Sequence, residues 1–284
     1  MAFRSNKVLP NFNGVGAGQT ATLDVPIGST YHQIAFEYSG MTTAQLTNFK
    51  VLLNGIPHIE IPSVEILEAI SAFNGRGQTA GIFQLDFERF GLLTRQAREL
   101  TAIGTGLGNT DPNQVRTFQI QVDIAAGAIS PSLKATATTS PASFAGLVKK
   151  IRLFNRNPTG AGLFEISDLP KGDIINKVYF QAGAASSQIN KLTLEIDNFV
   201  KFERSNALNN AIQKDDGIRV PQTKYSVFDP TELGYGAETV DTRYPMVEGN
   251  PRSGQNVSDM RFKLDMAAAD NMLLLVEYLG TVER

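Results

Sequence analysis

The segment Thr117-Phe118-Gln119-Ile120-Gln121-Val122-Asp123-Ile124 decides the fold class. Its polar and apolar residues alternate with a period of two, which is typical of a β-strand with one face in a core and the other face polar. The same alternation recurs along both halves of the 284-residue chain. The sequence therefore predicts an all-β protein.

Alternation predicts eight strands in each half of the chain. In the first half they lie near Gln19–Val25, Tyr31–Tyr38, Thr47–Leu53, His58–Ile61, Ala80–Phe87, Arg98–Ile103, Val115–Ile124 and Leu133–Ala137. In the second half they lie near Leu163–Ser167, Ile174–Gln181, Ile189–Asp197, Phe199–Glu203, Lys224–Phe228, Glu238–Thr242, Val257–Met266 and Met272–Leu279. Eight strands with long irregular connections fit a jelly-roll sandwich of two four-stranded sheets.

One short helix is predicted after the fourth strand of each half. The first runs from Val64 to Phe73, with Ser63 as its N-cap and an apolar face of Ile66, Leu67, Ile70 and Phe73. A strand is excluded there, because the adjacent Ile66 and Leu67 would point to opposite faces. The second helix opens at Ser205 and ends before Gly217, with Leu208, Ala211 and Ile212 facing inward.

Matching residues indicate that the two halves are copies of one domain. Val25-Pro26-Ile27-Gly28 returns 144 positions later as Leu169-Pro170-Lys171-Gly172, and Asp86 matches Asp229 at an offset of 143. Such a nearly constant offset is the signature of an internal repeat. A Thr/Ser/Pro-rich exit near Ser140 predicts two domains, 1–140 and 141–284, each a jelly roll.

Composition excludes several classes of protein. Charged residues make up 19% of the chain, against roughly 25% in ordinary soluble proteins, and the formal net charge is −2. Nucleic-acid binding draws on clustered basic residues, so we expect no specific nucleic acid partner. The chain has no cysteine and no apolar run of the roughly 20 residues that a membrane span requires. Residues Met1–Lys7 contain no apolar stretch of signal-peptide length, which indicates a chain made in the cytoplasm and left unprocessed.

Four groups of residues spread along the chain carry a family resemblance. They are Pro26-Ile27-Gly28 with Thr30-Tyr31 and Tyr38-Ser39-Gly40, Ala125-Ala126-Gly127 with Pro131 and Leu133, Ile166 with Asp168-Leu169-Pro170, and Val276-Glu277-Tyr278 with Gly280. Taken together, the sequence resembles the double jelly-roll major capsid proteins of corticovirus-type phages, in the lineage of tectivirus and adenovirus capsids.

The resemblance implies a structural protein of the virion. It implies homotrimeric, pseudo-hexagonal capsomers that tile an icosahedral capsid over an internal membrane, in contact with minor capsid and membrane proteins. It also implies synthesis in the host cytoplasm and a calcium-dependent particle, although no residue of this sequence is assigned to calcium. Otherwise no cofactor is expected.

Acidic and histidine residues offer little evidence of catalysis. Asp86 and Glu88 lie two residues apart on a predicted strand, so their carboxylates project from the same face about 7 Å apart. An inverting glycosidase could use that separation. The core residues Phe83, Leu85 and Phe87 place that acidic pair on the outer face. His32 and His58 have no i, i+4 partner for a zinc site. We therefore expect no catalytic residue, and expect that these four side chains do not converge.

Two glycine-rich loops and an acidic pair have structural interpretations. Gly14–Gly18 and Gly104–Gly108 do not join a strand to a helix, as a phosphate-binding loop requires. Asp215-Asp216-Gly217 offers oxygen ligands for calcium but lacks helix-loop-helix spacing, and the end of a helix explains it equally well.

A basic stripe follows the linker. Lys150, Arg152 and Arg156 fall on one side of an extended stretch whose other side carries Ile151 and Leu153. The stripe could face anionic lipid, a neighbouring subunit or simply solvent. We keep it as the candidate interaction site of the chain.

The alternative to a capsid protein is a carbohydrate-binding or hydrolytic β-sandwich. Such proteins favour exposed tryptophan as a stacking platform, and this chain has none among its 284 residues. Most of its 17 phenylalanines fall at alternating core positions instead. The sequence favours an assembling, non-enzymatic protein.

Overall fold

The computed structural model describes residues 4–106 and 113–283, which form two compact units. The first unit holds the chain up to Arg152 together with the segment from Leu279 onward, and the second holds Leu153–Tyr278. In the described ranges no helix is long and apolar enough to cross a bilayer.

The first unit consists of two antiparallel sheets. Its elements are β1 (Ser5–Val8), β2 (Thr20–Asp24), β3 (Thr30–Ser39), a 3₁₀ helix (Thr43–Gln45), β4 (Leu46–Leu53), β5 (Ile56–Ser63), α1 (Val64–Phe73), β6 (Ile82–Asp86), α2 (Arg95–Glu99), β7 (Ile103–Gly104), β8 (Phe118–Ile124) and β9 (Ser132–Ser140). One sheet has the order β1-β9-β3-β6, with β7 also on β3, and the other has the order β5-β4-β8-β2. Phe36, Phe49 and Phe83 pack together between the two sheets.

The second unit repeats this order strand for strand. Its elements are β10 (Val148–Arg156), β11 (Gly162–Ile166), β12 (Ile174–Ala182), β13 (Ile189–Ile196), β14 (Phe199–Ser205), α3 (Asn206–Lys214), β15 (Tyr225–Phe228), β16 (Val240–Asp241), β17 (Met260–Met266) and β18 (Met272–Gly280). The orders β10-β18-β12-β15 and β14-β13-β17-β11 correspond to the two sheets of the first unit. The fold is thus a duplicated jelly roll, as the sequence predicts.

The alternation in Thr117–Ile124 reflects the burial of one face of β8, as the sequence predicts. Phe118, Ile120, Val122 and Ile124 are buried, while the residues between them are partly exposed. β17 shows the same buried and half-buried alternation in the second unit. One face of each strand is removed from water and stabilises its sandwich.

The first compact unit is not one continuous segment of the chain. Residues 148–152 are grouped with the first unit, where Ile151 of β10 lies in parallel pairing with Ile59 of β5. The segment from Leu279 returns to the first unit as well. A linear reading of composition does not detect either contact, because both join residues distant in sequence.

Two strands of the jelly rolls escaped the sequence analysis, and one predicted strand is wrong. β1 and β10 are the missed strands; Val8 of β1 is exposed, so alternation gave no signal there. Of the strand expected over Arg98–Ile103, Arg98 and Glu99 end α2 and only Ile103 lies in a strand, the two-residue β7. The Thr94 hydroxyl caps α2 by accepting the Ala97 N–H. Within residues 4–106 and 113–152, α2 is thus a second α-helix where the sequence predicts one.

The two predicted helices are present, but their details differ. The Ser63 side chain makes no capping hydrogen bond, and Val64 rather than Ile66 is fully buried on α1. On α3, Ser205 does cap the helix, whereas the inward residues are Asn209 and Gln213. Both side-chain amides donate to the carbonyl oxygen of Val227, at 2.7 and 2.8 Å. These bonds turn the apolar Leu208 outward, contrary to the helical-face prediction.

Candidate functional site

Lys150 and Arg152 of the basic stripe converge on one carboxylate. Glu283 accepts hydrogen bonds from Lys150 Nζ at 3.0 Å and from Arg152 Nη2 at 2.6 Å. Burial opposes ionisation of Glu283, but Arg152 and Lys150 hold its pKa below the usual range. The side chain of Lys150 is only 4% exposed, so it does not lie on an open basic surface.

His58 completes this arrangement from the neighbouring strand β5. Its Nδ1 lies 2.9 Å from the carbonyl oxygen of Ile56, and its Nε2 lies 3.0 Å from the backbone nitrogen of Glu283. Since a carbonyl only accepts and an N–H only donates, His58 is neutral and protonated on Nδ1. Burial lowers its pKa, in keeping with that state. We call His58, Lys150, Arg152 and Glu283 the C-terminal clasp.

Arg156 does not join the clasp. Its Nη2 donates to both carboxylate oxygens of Asp168, at 2.7 and 2.6 Å. Each member of the basic stripe therefore has an acidic partner within its own unit. A role of the stripe toward lipid or another subunit stays a prediction.

His32 and Glu88 do converge, contrary to expectation. Glu88 follows the end of β6 and is buried, and its Oε1 lies 2.8 Å from His32 Nδ1. Arg4 donates to the same oxygen and, at 2.6 Å, to Glu99. Burial disfavours the Glu88 anion, yet His32 and Arg4 keep its pKa low. The alternation rule failed because Glu88 lies beyond the regular strand.

The ligand atoms of His32, Glu88 and Glu99 lie within 4.8 Å of one another, close enough to surround a cation. Arg4 supplies the positive charge there, and Arg95 adds a second one to Glu99 at 2.6 Å. The cluster thus fastens the residue before β1 to the first sandwich. It has no counterpart in the sequence analysis, since Arg4 and Glu88 are 84 residues apart.

Asp86 has a separate environment from Glu88. Arg76 Nε lies 3.3 Å from its carboxylate, and the side chain is 9% exposed. Burial raises its pKa, and Arg76 offsets this only in part. The ion-pair partner of the Asp86 side chain is Arg76, which lies 10 residues earlier in the chain.

Asp229, the repeat counterpart of Asp86, lies in a fully buried charge cluster. Lys177 Nζ and Arg219 Nε lie 3.1 and 3.0 Å from its Oδ2, and the Thr231 hydroxyl donates to Oδ1 at 2.7 Å. Desolvation would raise its pKa, but Lys177 and Arg219 lower it below the ordinary value. Arg76 and Arg219 are also 143 positions apart, so the arginine–aspartate pair is duplicated.

The loop Gly104–Gly106 closes a turn instead of holding a phosphate. The Thr105 hydroxyl accepts the Gly28 N–H at 2.9 Å and donates to the Ser29 carbonyl at 2.6 Å. In the second unit Thr242 accepts from Gly172 at 2.7 Å and donates to Asp173 at 2.9 Å. Gly28 and Gly172 have positive φ, which explains their retention in both copies. Residues 107 and 108 of the glycine-rich motif lie outside the described residues.

The remaining motifs end local elements. Gly14 and Gly18 adopt positive φ in the loop before β2. Asp215 is the C-cap of α3, and Asp216 accepts the backbone N–H groups of Ile218 and Arg219. These contacts explain both motifs without a ligand.

Large apolar side chains are exposed on both units. In the second unit they include Leu163, Phe199, Val200, Leu208, Val220, Leu233, Tyr235, Met246 and Val247. A cleft of about 410 Å³ opens beside β14, lined in part by Leu194, Ile196, Phe202, Glu232 and Val240. Phe199 and Val200 are adjacent on β14, next to the strand residues that line this cleft. Sequence alternation did not identify these residues, because it separates strand faces without showing which edges stay open.

Comparison with known proteins agrees with this architecture. Family models described as the viral coat protein P2 N-terminal and C-terminal domains match residues 6–140 and 148–282. The major capsid protein P2 of Pseudoalteromonas phage PM2 is 26% identical over 297 aligned positions, covering the whole chain and 98% of that protein. Its crystal structure superposes with a TM-score of 0.85, 24% identity and 99% coverage of both chains. The structure of Sulfolobus Turreted Icosahedral Virus contains a chain with a TM-score of 0.67 and 12% identity, covering 98% of this chain and 91% of that one.

Proposed function

Since this chain belongs to the viral coat protein P2 family, we propose that three copies form the pseudo-hexagonal capsomer of an icosahedral virus with an internal membrane. The protein is a structural major capsid protein, as its relatives are, and not an enzyme. The observation that carries the proposal is the duplicated jelly roll with the same strand order in both units.

Duplication explains how a trimer acquires a nearly hexagonal outline. Each chain supplies two similar sandwiches, so a threefold axis arranges six lobes in a ring. In a closed ring each copy uses one surface to bind the next copy and a different surface to be bound, and growth stops at three. Hexagonal rings then tile a capsid lattice.

Exposed apolar residues support an extensive contact between copies. The long connection between β15 and β17 carries Leu233, Tyr235, Met246 and Val247, all more than half exposed. We expect this connection to lie in an interface of more than about 2,000 Å², the size of obligate assemblies. We expect the loop Gly104–Gln114 to lie in the same interface, although this loop falls partly outside the described residues.

Further partners follow from the proposed virion. They are the minor capsid proteins and the membrane proteins beneath the lattice, with synthesis of the chain in the host cytoplasm. No specific nucleic acid contact is proposed, because the net charge of −2 gives little attraction to phosphate. Structural calcium stays a prediction, and its test is whether a chelator dissociates purified particles.

The trimer is tested by light scattering on the purified protein at low micromolar concentration. Three chains of 30.8 kDa should give a mass of about 92 kDa. A folded monomer under these conditions would refute the trimer. Electron microscopy of concentrated protein then tests the lattice, where hexagonal sheets are expected.

A further inference from the structure

One edge of the second jelly roll is open. β14 is the last strand of its sheet, and within residues 4–106 and 113–283 no strand pairs with its outer side. Phe199 and Val200 on this strand are 68% and 53% exposed. The cleft beside it leaves Ile196 and Phe202 only half-buried. An open, apolar edge is a template for pairing with another chain.

The corresponding edge of the first jelly roll is covered. Val51 pairs with Ile59 and Leu194 pairs with Phe202, so β5 and β14 are equivalent strands in equivalent register. Ile151 of β10 lies beside Ile59 in parallel pairing. Ile59 is therefore 1% exposed, whereas its counterpart Phe202 is half-buried. A strand is present at one edge and missing at the other.

The counterpart of the covering strand is β1. In the sheet orders, β1 neighbours β9 as β10 neighbours β18. Lys7-Val8 also matches Lys150-Ile151 at an offset of 143. Ile151 is 4% exposed, yet Val8 is 84% exposed in the single chain. Val8 thus lacks the cover that its counterpart has.

We propose that β1 of a neighbouring copy pairs in parallel with β14, placing Val8 beside Phe202. This inference rests on the proposed trimer, and it specifies which elements join successive copies. Each copy offers one β1 and receives another on β14, which closes a ring of three. The contact repeats between copies the pairing that β10 makes on β5.

Cross-linking tests the contact directly, because the chain contains no cysteine. The double variant V8C/F202C, purified as the full chain and mildly oxidised, should give covalent dimers and trimers on a denaturing gel. The variants V8C/V200C and V8C/R204C scan the register along β14. The control is V8C/L163C, because Leu163 is 72% exposed on β11 at the opposite edge of the same sheet.

The outcomes separate the inference from the proposed function. Covalent trimers from a β14 pair but not from the control support the strand pairing. Trimers by light scattering with no cross-link at positions 200, 202 or 204 overturn the pairing and leave the trimer intact. A monomer overturns both.

A second variant tests the energetics of the contact. Val8→Asp should weaken trimer assembly at least about tenfold, because it places a charge at a buried apolar contact. Its thermal unfolding as a monomer should be unchanged, since Val8 is exposed in the single chain. Trimer assembly unaffected by V8D would contradict the proposal.

Discussion

Asp86 and Asp229 occupy the same place in the two jelly rolls, but their surroundings differ. Each pairs with an arginine 10 residues earlier, Arg76 or Arg219. Asp229 also forms a buried ion pair with Lys177, whose position in the first unit is occupied by the neutral Gln33. The pKa of Asp86 is consequently raised by burial, while the pKa of Asp229 is lowered by its two cations despite burial.

The two copies therefore share the arginine–aspartate pair but differ in the charges around it. A paired carboxylate with a lowered pKa stabilises the fold above its unfolded pKa, and this contribution is lost as pH falls. A carboxylate with a raised pKa does the reverse, so ionised Asp86 costs stability near neutral pH. The directions of the two pKa shifts therefore predict that the ionised carboxylate is favourable at Asp229 and weakly unfavourable at Asp86.

The largest effect is expected from Asp229→Asn. This substitution removes the carboxylate that the buried cations Lys177 and Arg219 share. The free energy of unfolding should therefore fall by about 3–5 kcal/mol. Asp86→Asn is the matched control and should cost less than Asp229→Asn, because burial already disfavours the ionised form of Asp86 and raises its pKa. Denaturant unfolding at one fixed protein concentration measures both. Equal losses would show that the two clusters are energetically alike.

An intermediate loss of stability, equal in the two units, is expected at the threonine whose hydroxyl closes the same turn in each unit. Thr105→Val and Thr242→Val each remove a buried hydroxyl that both accepts and donates, and each should cost about 1–3 kcal/mol. Thr→Ser at either position keeps the hydroxyl and should restore most of the loss. Strongly unequal costs in the same unfolding assay would contradict the equivalence of the two turns.

A smaller effect separates the two helix caps. Ser205 accepts the Leu208 N–H at 3.3 Å, whereas Ser63 makes no such bond. Ser205→Ala should therefore cost about 1 kcal/mol. Ser63→Ala should leave the unfolding midpoint unchanged, and a loss there equal to that of S205A would disprove the distinction.

The smallest expected effect is a pH dependence in the C-terminal clasp. The folded pKa of His58 lies below its ordinary value of about 6.5, so its neutral form is favoured in the fold. The contribution of neutral His58 to the free energy of unfolding is complete above pH 6.5 and is lost as pH falls below that value. His58→Gln keeps a donor and an acceptor without titrating. The stability of this variant should fall less between pH 6.5 and 5 than that of the wild type.

Much of the fold followed from alternation because strands such as β8 and β17 bury one face and leave the other half-buried. Prediction failed at β1, at the inward face of α3 and over Arg98–Ile103. β1 has no buried alternating face in the single chain, and α3 buries Asn209 and Gln213 through hydrogen bonds that hydropathy does not represent. Arg98–Ile103 carried apolar residues that serve a helix end and a two-residue strand instead.

The candidate site was predicted only in part. The basic residues Lys150, Arg152 and Arg156 were found, but their partners Glu283 and Asp168 were not. Charge complementarity alone does not select one acid among 28 acidic residues. The convergence of Arg4, His32 and Glu88 was missed for the same reason, since three distant segments form it.

The return of residues 279–283 to the first unit has a consequence for synthesis of the chain. The ribosome adds these residues about 130 positions after Arg152, which takes roughly 7–26 s at common elongation rates. Before that time Glu283 cannot contact Lys150, Arg152 or His58. The second jelly roll is thus translated before the first is complete. The first jelly roll therefore makes its last contacts only after the second jelly roll has been synthesised.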